Sequence, residues 1–187
     1  MSAPAPPVEI PRLRPMPHLV TLCTGNAARS VMAGAILAEH LPALVVATRG
    51  THVIEGMPMS WRTRDAIIAV GAKATAHRSA QLAATDLAAA DLVLAMAREH
   101  VEYVRKRHPE AAARTGTIKR LARDLPSASG SLAERVASLR LAEVELEVWE
   151  DVDDPAGGEP EVFHRCAEEI HELLGALRPV FEGVPAA

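Results

Sequence analysis

The sequence predicts an α/β fold built on a parallel sheet, and three observations lead there. Apolar runs of strand length recur at Leu19–Leu22, Leu44–Ala47 and Asp91–Met96. Segments with helical spacing alternate with them: Val31 to Leu41 repeats its apolar residues at Met32, Ile36, Leu37 and Leu41, and Arg98 to about His108 turns Val101 and Val104 inward. The run Leu44-Val45-Val46-Ala47 is continuous, as expected of a strand covered on both faces, and two strands joined by a helix make a parallel crossover unit.

Taken in order, residues 1–17 hold Pro4, Pro6, Pro7, Pro11, Pro15 and Pro17 and are expected to be a mobile, passive tail ahead of one domain, 18–182. The first strand, a polar loop and the first helix follow. Thr48 to Met59, with Gly50, Gly56 and Pro58, reads as a loop leaving the second strand, and such loops lie near the ligand crevice of a parallel sheet. Ser60 suits the N-cap of a helix reaching about Val70, which Gly71 ends. The polar stretch His77-Arg78-Ser79-Ala80-Gln81, with His77 at the surface or supporting the site, precedes a short helical piece near Thr85.

After the third strand, the run Arg105-Lys106-Arg107-His108 complements a helix C-terminus; without interleaved aromatics it does not read as a nucleic-acid patch. Gly116-Thr117-Ile118 is the weakest strand signal, Asp124 to Ser131 reads as a loop, and Leu132 to about Leu139 as a helix. Pro160 starts the final helix, whose apolar face includes Val162, Phe163, Ile170, Leu173, Leu174 and Leu177, with Cys166 among them in the core.

At 187 residues the chain suits one domain of ordinary size. Its 3% aromatic content requires an aliphatic core, and its net charge of -4 speaks against nucleic acid or an anionic membrane as partner. Two cysteines are too few for a disulfide framework, and no apolar run is long enough to span a bilayer. The N-terminus lacks a signal-peptide pattern, so the expected compartment is cytoplasmic.

Chemistry concentrates in Cys23-Thr24-Gly25-Asn26-Ala27-Ala28-Arg29-Ser30, between the first strand and the first helix. Gly25 and Asn26 both tolerate a left-handed backbone, so the loop can curl its N–H groups inward over a helix N-terminus and form an anion site. Amides, helix terminus and guanidinium all favour a thiolate over a thiol, and Ser30 adds a hydroxyl hydrogen bond. Arg29 supplies a planar fork for two oxygens of a phosphate, facing Cys23 across the loop. Attack by sulfur on phosphorus, or on a phosphate mimic, is the chemistry this arrangement suits.

A phosphoester's departing oxygen needs a proton. The acidic loop after Trp149, Glu150-Asp151-Val152-Asp153-Asp154-Pro155-Ala156-Gly157-Gly158, offers carboxylic acids, and Asp154 is selected because Pro155 restricts its backbone.

Together these elements resemble the low-molecular-weight protein tyrosine phosphatase family over roughly Leu19 to Leu177, on CTGN followed by ARS, a late Asp-Pro pair and Asp91–Met96 as third strand. The resemblance implies a flavodoxin-like three-layer sandwich with a four-stranded parallel sheet. It implies Cys23 as nucleophile forming a phosphocysteine, Arg29 and the amides of Thr24 to Ser30, including Ala27 and Ala28, on the equatorial oxygens, and Asp154 as acid and then base. Asn26 would hold the loop's shape. Neither metal nor cofactor is implied, and the partner is a phosphorylated protein, first of all at phosphotyrosine, or a small phosphoester.

Two departures bear on detail. Ala28 replaces the family's second cysteine, so a sulfenylated Cys23 has no neighbouring thiol for a disulfide. Ala156 replaces the aromatic after Asp-Pro, and His52-Val53-Ile54 lacks the aromatic of the opposite wall. The competing readings are an arsenate reductase borrowing a small-molecule thiol, a phosphoarginine phosphatase, whose loop favours threonine where Ala27 stands, and a non-catalytic phosphoprotein-binding module.

Overall fold

A computed structural model describes residues 16–182. The predicted proline-rich tail therefore lies, except for Met16 and Pro17, outside the described residues. The sheet has four parallel strands, β1 (His18–Cys23), β2 (Val45–Gly50), β3 (Leu92–Ala95) and β4 (Thr115–Thr117), in the order β2-β1-β3-β4. Strand alternation sends Leu19, Cys23, Leu92 and Leu94 to one face and Val20, Leu22 and Val93 to the other. The first face is covered by α1 (Arg29–His40), α2 (Trp61–Ala69), α5 (Ile118–Asp124) and α7 (Pro160–Glu182), through Met32, Ile36, Ile67, Leu121, Ile170 and Leu177. Leu87 of α3 (Ala84–Ala89) and Val104 of α4 (Arg98–Arg107) pack on the second. The result is the flavodoxin-like three-layer sandwich.

β1 lies inside the sheet and runs one residue beyond its apolar core, which puts Cys23 at the C-terminal end of a central strand. Parallel strands all point that way, so the loops after β1, β2 and β3 gather at one edge. Helix α1 packs so closely on β2 that a Cβ at Gly34 would come within 2.3 Å of Thr48 Cγ2. Ser60 caps α2 as expected, its Oγ accepting the Thr63 N–H at 3.1 Å, and Gly71 follows that helix with φ 80°.

Some expectations fail. The second strand is covered on both faces only in part: Val46 packs against one core and Ala47 against the other, but β2 is a sheet edge, its residues half-buried except exposed Val45 and buried Gly50, and it starts at Val45 rather than Leu44. Ile118 belongs not to a strand but to α5, a helix capped by the Thr117 hydroxyl and absent from the sequence reading. With seven residues, α5 is too short to establish a 3.6-residue period. The basic run does occupy the last turn of α4, as expected, but Arg105 has a further use: its Nη2 donates to the carbonyls of Leu141 (2.6 Å) and Val144 (2.9 Å), tying α4 to the segment after α6 (Leu132–Ser138). Among the described residues no helix is long and apolar enough to cross a membrane.

Candidate active site

The loop from Cys23 to Ser30 closes over the start of α1, where Ala28 provides no side-chain cap. The first-turn amides of that helix are left for something else. Of the two residues suited to a left-handed turn, Asn26 takes it, at φ 49°. Asn26 is fully buried and is the hub of the loop. Its Oδ1 accepts the Ala80 N–H at 2.9 Å, and its carbonyl accepts the Ser79 hydroxyl at 3.1 Å and pairs with His77 Nε2 at 2.8 Å. Of the two roles expected for His77, the supporting one is what the structure shows, and Ser79 and Ala80 share it. The Thr63 hydroxyl donates to the Ala27 carbonyl at 3.0 Å, and the N–H groups of Thr51 and His52 donate to the carbonyls of Cys23 and Thr24. Gly50 permits that approach: a Cβ there would lie 2.6 Å from Thr24 O and 2.9 Å from Asn26 N.

Cys23 Sγ stands 3.0 Å from Ser30 Oγ. Asn26 Nδ2 donates to that same oxygen at 3.0 Å, which turns the serine's own hydrogen toward the sulfur. Arg29, 4% exposed, sends Nη1 to the Val152 carbonyl at 3.0 Å. Its Nη2 reaches Asp154 Oδ2 at 2.5 Å and Thr24 Oγ1 at 3.4 Å. Asp154 is roughly half exposed (46%), and its Oδ1 accepts the Ala156 N–H at 3.1 Å. Cys23, Arg29, Ser30, Asn26, Thr24 and Asp154 are thus brought to one place, the aspartate across 125 residues of chain.

The acidic loop divides its labour. Val152 N–H donates to Met96 O at 2.8 Å, docking the loop on the end of β3. Glu150 is fully buried between Arg120 and the Thr117 hydroxyl. Burial alone would push its carboxyl up, but the hydrogen bonds from Arg120 and Thr117 outweigh it and hold Glu150 below the usual range. Asp151 closes the N-terminus of α4 by accepting Arg98 N–H at 2.7 Å and pairs with the Arg98 guanidinium at 2.9 Å. Its carboxyl is likewise lowered, with the Arg98 bonds overcoming burial. A cleft of about 430 Å³ beside Arg29 carries Glu99, Glu102, Asp151, Asp153 and Asp154 on its walls.

His100 was not singled out in the sequence, where one histidine in a polar helix carries no signal. It is fully buried against the phosphate loop: Nδ1 accepts the Ala97 N–H at 3.0 Å, and Nε2 lies 3.0 Å from Thr24 Oγ1. Burial, and secondarily the charge of Arg29, push its pKa down to about 3. Its folded value is depressed below the ordinary value of about 6.5, so its contribution to stability is complete above that pH and is lost as pH falls toward 3. The slope is on the order of 1.4 kcal/mol per pH unit. The urea midpoint is expected to fall steadily from pH 6.5 to 4.5, before the carboxylates titrate; an unchanged midpoint over that interval contradicts the assignment.

Cys166 is buried as expected, and burial pushes its thiol up to about 12. Beside the site, His52 packs edge-on against Tyr103 with centroids 5.7 Å apart, while Ile54 is 76% exposed. Among the described residues no group of three or more His, Cys, Asp or Glu is placed to hold a metal ion.

A sequence model of the low molecular weight phosphotyrosine protein phosphatase family matches residues 18–132. A protein-arginine-phosphatase of Geobacillus stearothermophilus is 32% identical over 164 residues, 87% of this chain and 95% of that protein. The solved structure of YwlE arginine phosphatase from Geobacillus stearothermophilus superposes with a TM-score of 0.70 at 29% identity, covering 89% of this chain and 93% of the other. A low molecular weight protein tyrosine phosphatase from T. tengcongensis gives a TM-score of 0.69 at 29% identity, covering 87% of this chain and 98% of that one.

Proposed function

Because the chain belongs to the low molecular weight phosphotyrosine protein phosphatase family, we propose that it removes phosphoryl groups from proteins by way of a phosphocysteine. The observation that carries this is Cys23, Arg29 and Asp154 gathered around one loop between the end of β1 and the uncapped start of α1. Cys23 sulfur attacks phosphorus as the bond to the leaving oxygen breaks, and Asp154 gives that oxygen a proton. Water then attacks the phosphocysteine, Asp154 takes the water's proton, and phosphate departs with the thiolate restored. Arg29 and the amides of Thr24, Gly25, Asn26, Ala27, Ala28 and Ser30 hold the equatorial oxygens, where negative charge is redistributed in the transition state. Ser30 donates to the sulfur when it leaves phosphorus. The reaction runs in the cytoplasm, whose reducing conditions keep Cys23 free.

Family membership makes protein phosphotyrosine the first substrate to test. A second reading, protein phosphoarginine, is favoured by a specific observation: Ala156 gives the slot no ring, and on the cleft beside Arg29 the carboxylates outnumber the guanidiniums, Asp154 and Asp151 pairing with Arg29 and Arg98 while Glu99, Glu102 and Asp153 remain to suit a cationic leaving group. The protein-arginine-phosphatase similar along 95% of its length points the same way. Peptides carrying phosphotyrosine, phosphoarginine and phosphoserine, assayed by phosphate release, separate these readings. Release from phosphotyrosine above the others supports the first, and release from phosphoarginine the second. Binding of phosphate with no turnover of any peptide would overturn the enzyme assignment in favour of a binding module. Arsenate is expected to inhibit and not to be reduced; thiol-dependent formation of arsenite would assign a reductase instead.

A further inference from the structure

His100 lies outside the machinery just described, yet it is the fully buried group that connects α4 to the residue after the nucleophile. Its Nδ1 accepts a backbone N–H, so that nitrogen carries no proton and the neutral ring must bear its hydrogen on Nε2. Nε2–H then faces Thr24 Oγ1 at 3.0 Å, its nearest acceptor, with Glu99 Oε1 next at 3.2 Å, so the hydroxyl and the carboxylate it serves share this donor. The threonine's own hydrogen goes to Glu99 Oε1 at 2.9 Å, and its remaining lone pair faces Arg29 Nη2 at 3.4 Å. Every direction around the Thr24 oxygen is taken, and the donor that completes it is His100.

We propose that His100 is a positioning residue for phosphoryl transfer, acting through the Thr24 hydroxyl to hold the phosphate loop and the Arg29 guanidinium in register. The proposal rests on the loop being the phosphate site of the preceding section. The chemistry of the position narrows what can fill it. A carboxylate could accept the Ala97 N–H but could not donate to Thr24, and it would set a fixed negative charge near Arg29, competing with substrate. A lysine could donate but could not accept. A neutral imidazole does both and leaves the charge at the loop unchanged. The low pKa noted above agrees with a ring that is neutral near neutral pH.

The two ring nitrogens allow the capping and positioning roles to be separated. Asparagine places an amide near the position of Nδ1, so His100→Asn can keep the bond to Ala97 while losing Thr24. Glutamine reaches the position of Nε2, so His100→Gln can keep the donor to Thr24 at the cost of the cap. With p-nitrophenyl phosphate, His100→Asn is expected to lower kcat about tenfold and change KM less than about threefold, with its melting temperature close to wild type. His100→Gln is expected to stay within about threefold of wild-type kcat even where its melting temperature drops. Thr24→Val should reproduce the kcat of His100→Asn, and the double variant should be no slower than either alone within about twofold. The proposal is overturned if His100→Asn keeps wild-type kcat, or if the two losses multiply in the double variant. Should His100→Gln fail to fold, the coincidence of the other three decides. If wild type hydrolyses nothing, the phosphatase reading fails by itself. Titration with inorganic phosphate then carries the test: several-fold weaker binding by His100→Asn supports the positioning role, and equal binding overturns it.

Discussion

Cys23→Ser is expected to reduce hydrolysis of p-nitrophenyl phosphate by on the order of 10⁴-fold or more, while the protein stays folded and still binds phosphate. A serine hydroxyl has no accessible anion near neutral pH, and the group bonded to that position is no base: Ser30 Oγ, 3.0 Å from the sulfur, already accepts from Asn26 and is set to donate. The structural cost is small. The loop is held by backbone bonds from Thr51 and His52 and by the Asn26 hub, none of which involves the sulfur. Release of p-nitrophenolate reads the loss, and calorimetric titration with phosphate reads what is retained. A serine variant with a tenth of wild-type turnover would remove Cys23 from the mechanism.

Asp154→Asn should push two measurements in opposite directions. Without a proton to give, kcat is expected to fall about 10²- to 10³-fold for phosphoesters with strongly basic leaving groups, and far less for p-nitrophenyl phosphate, whose leaving oxygen departs unaided. Binding should strengthen, because Asp154 is itself an anion seated 2.5 Å from Arg29 Nη2 when no substrate is present. An incoming phosphate must displace that carboxylate, and the amide of asparagine competes less well for the guanidinium. A series of aryl phosphates graded by leaving-group pKa, with phosphate titration alongside, tests both halves. Equal loss across the series would show that Asp154 holds Arg29 in place and does not donate the proton.

The phosphate loop is legible in the sequence because its chemistry is local: nucleophile, turn, guanidinium and hydroxyl fall within eight consecutive residues. Asp154 is legible for a weaker reason, a proline that restricts its backbone in an acidic stretch. His100, Arg120 and Glu150 are not, since each takes its meaning from a partner 76, 30 or 33 positions away, a separation that only the folded sheet closes. In the sequence Glu150 reads like the acids beside it; in the fold it is the buried peg of their loop. Gly50 reads as a loop glycine, and the need for it becomes visible only against Thr24 and Asn26. The edge position of β2, and with it the half-burial of Val46 and Ala47, is not legible in the sequence, because an apolar run reports burial in general and not the order in which strands pair. The sheet itself follows from alternating strand-length and helix-length apolar patterns, which depend on little beyond nearest neighbours in the chain.

Asn26 sits in a left-handed turn whose backbone and side chain are claimed by four residues, Ser30, His77, Ser79 and Ala80, with Thr63 holding the next carbonyl. The cradle is therefore assembled during folding, with the energy of the whole domain behind it, and an arriving anion meets a finished shape. Little disorder is left for it to quench, so association should cost the phosphate its own freedom and the water around it, and the protein little beyond the parting of Asp154 from Arg29.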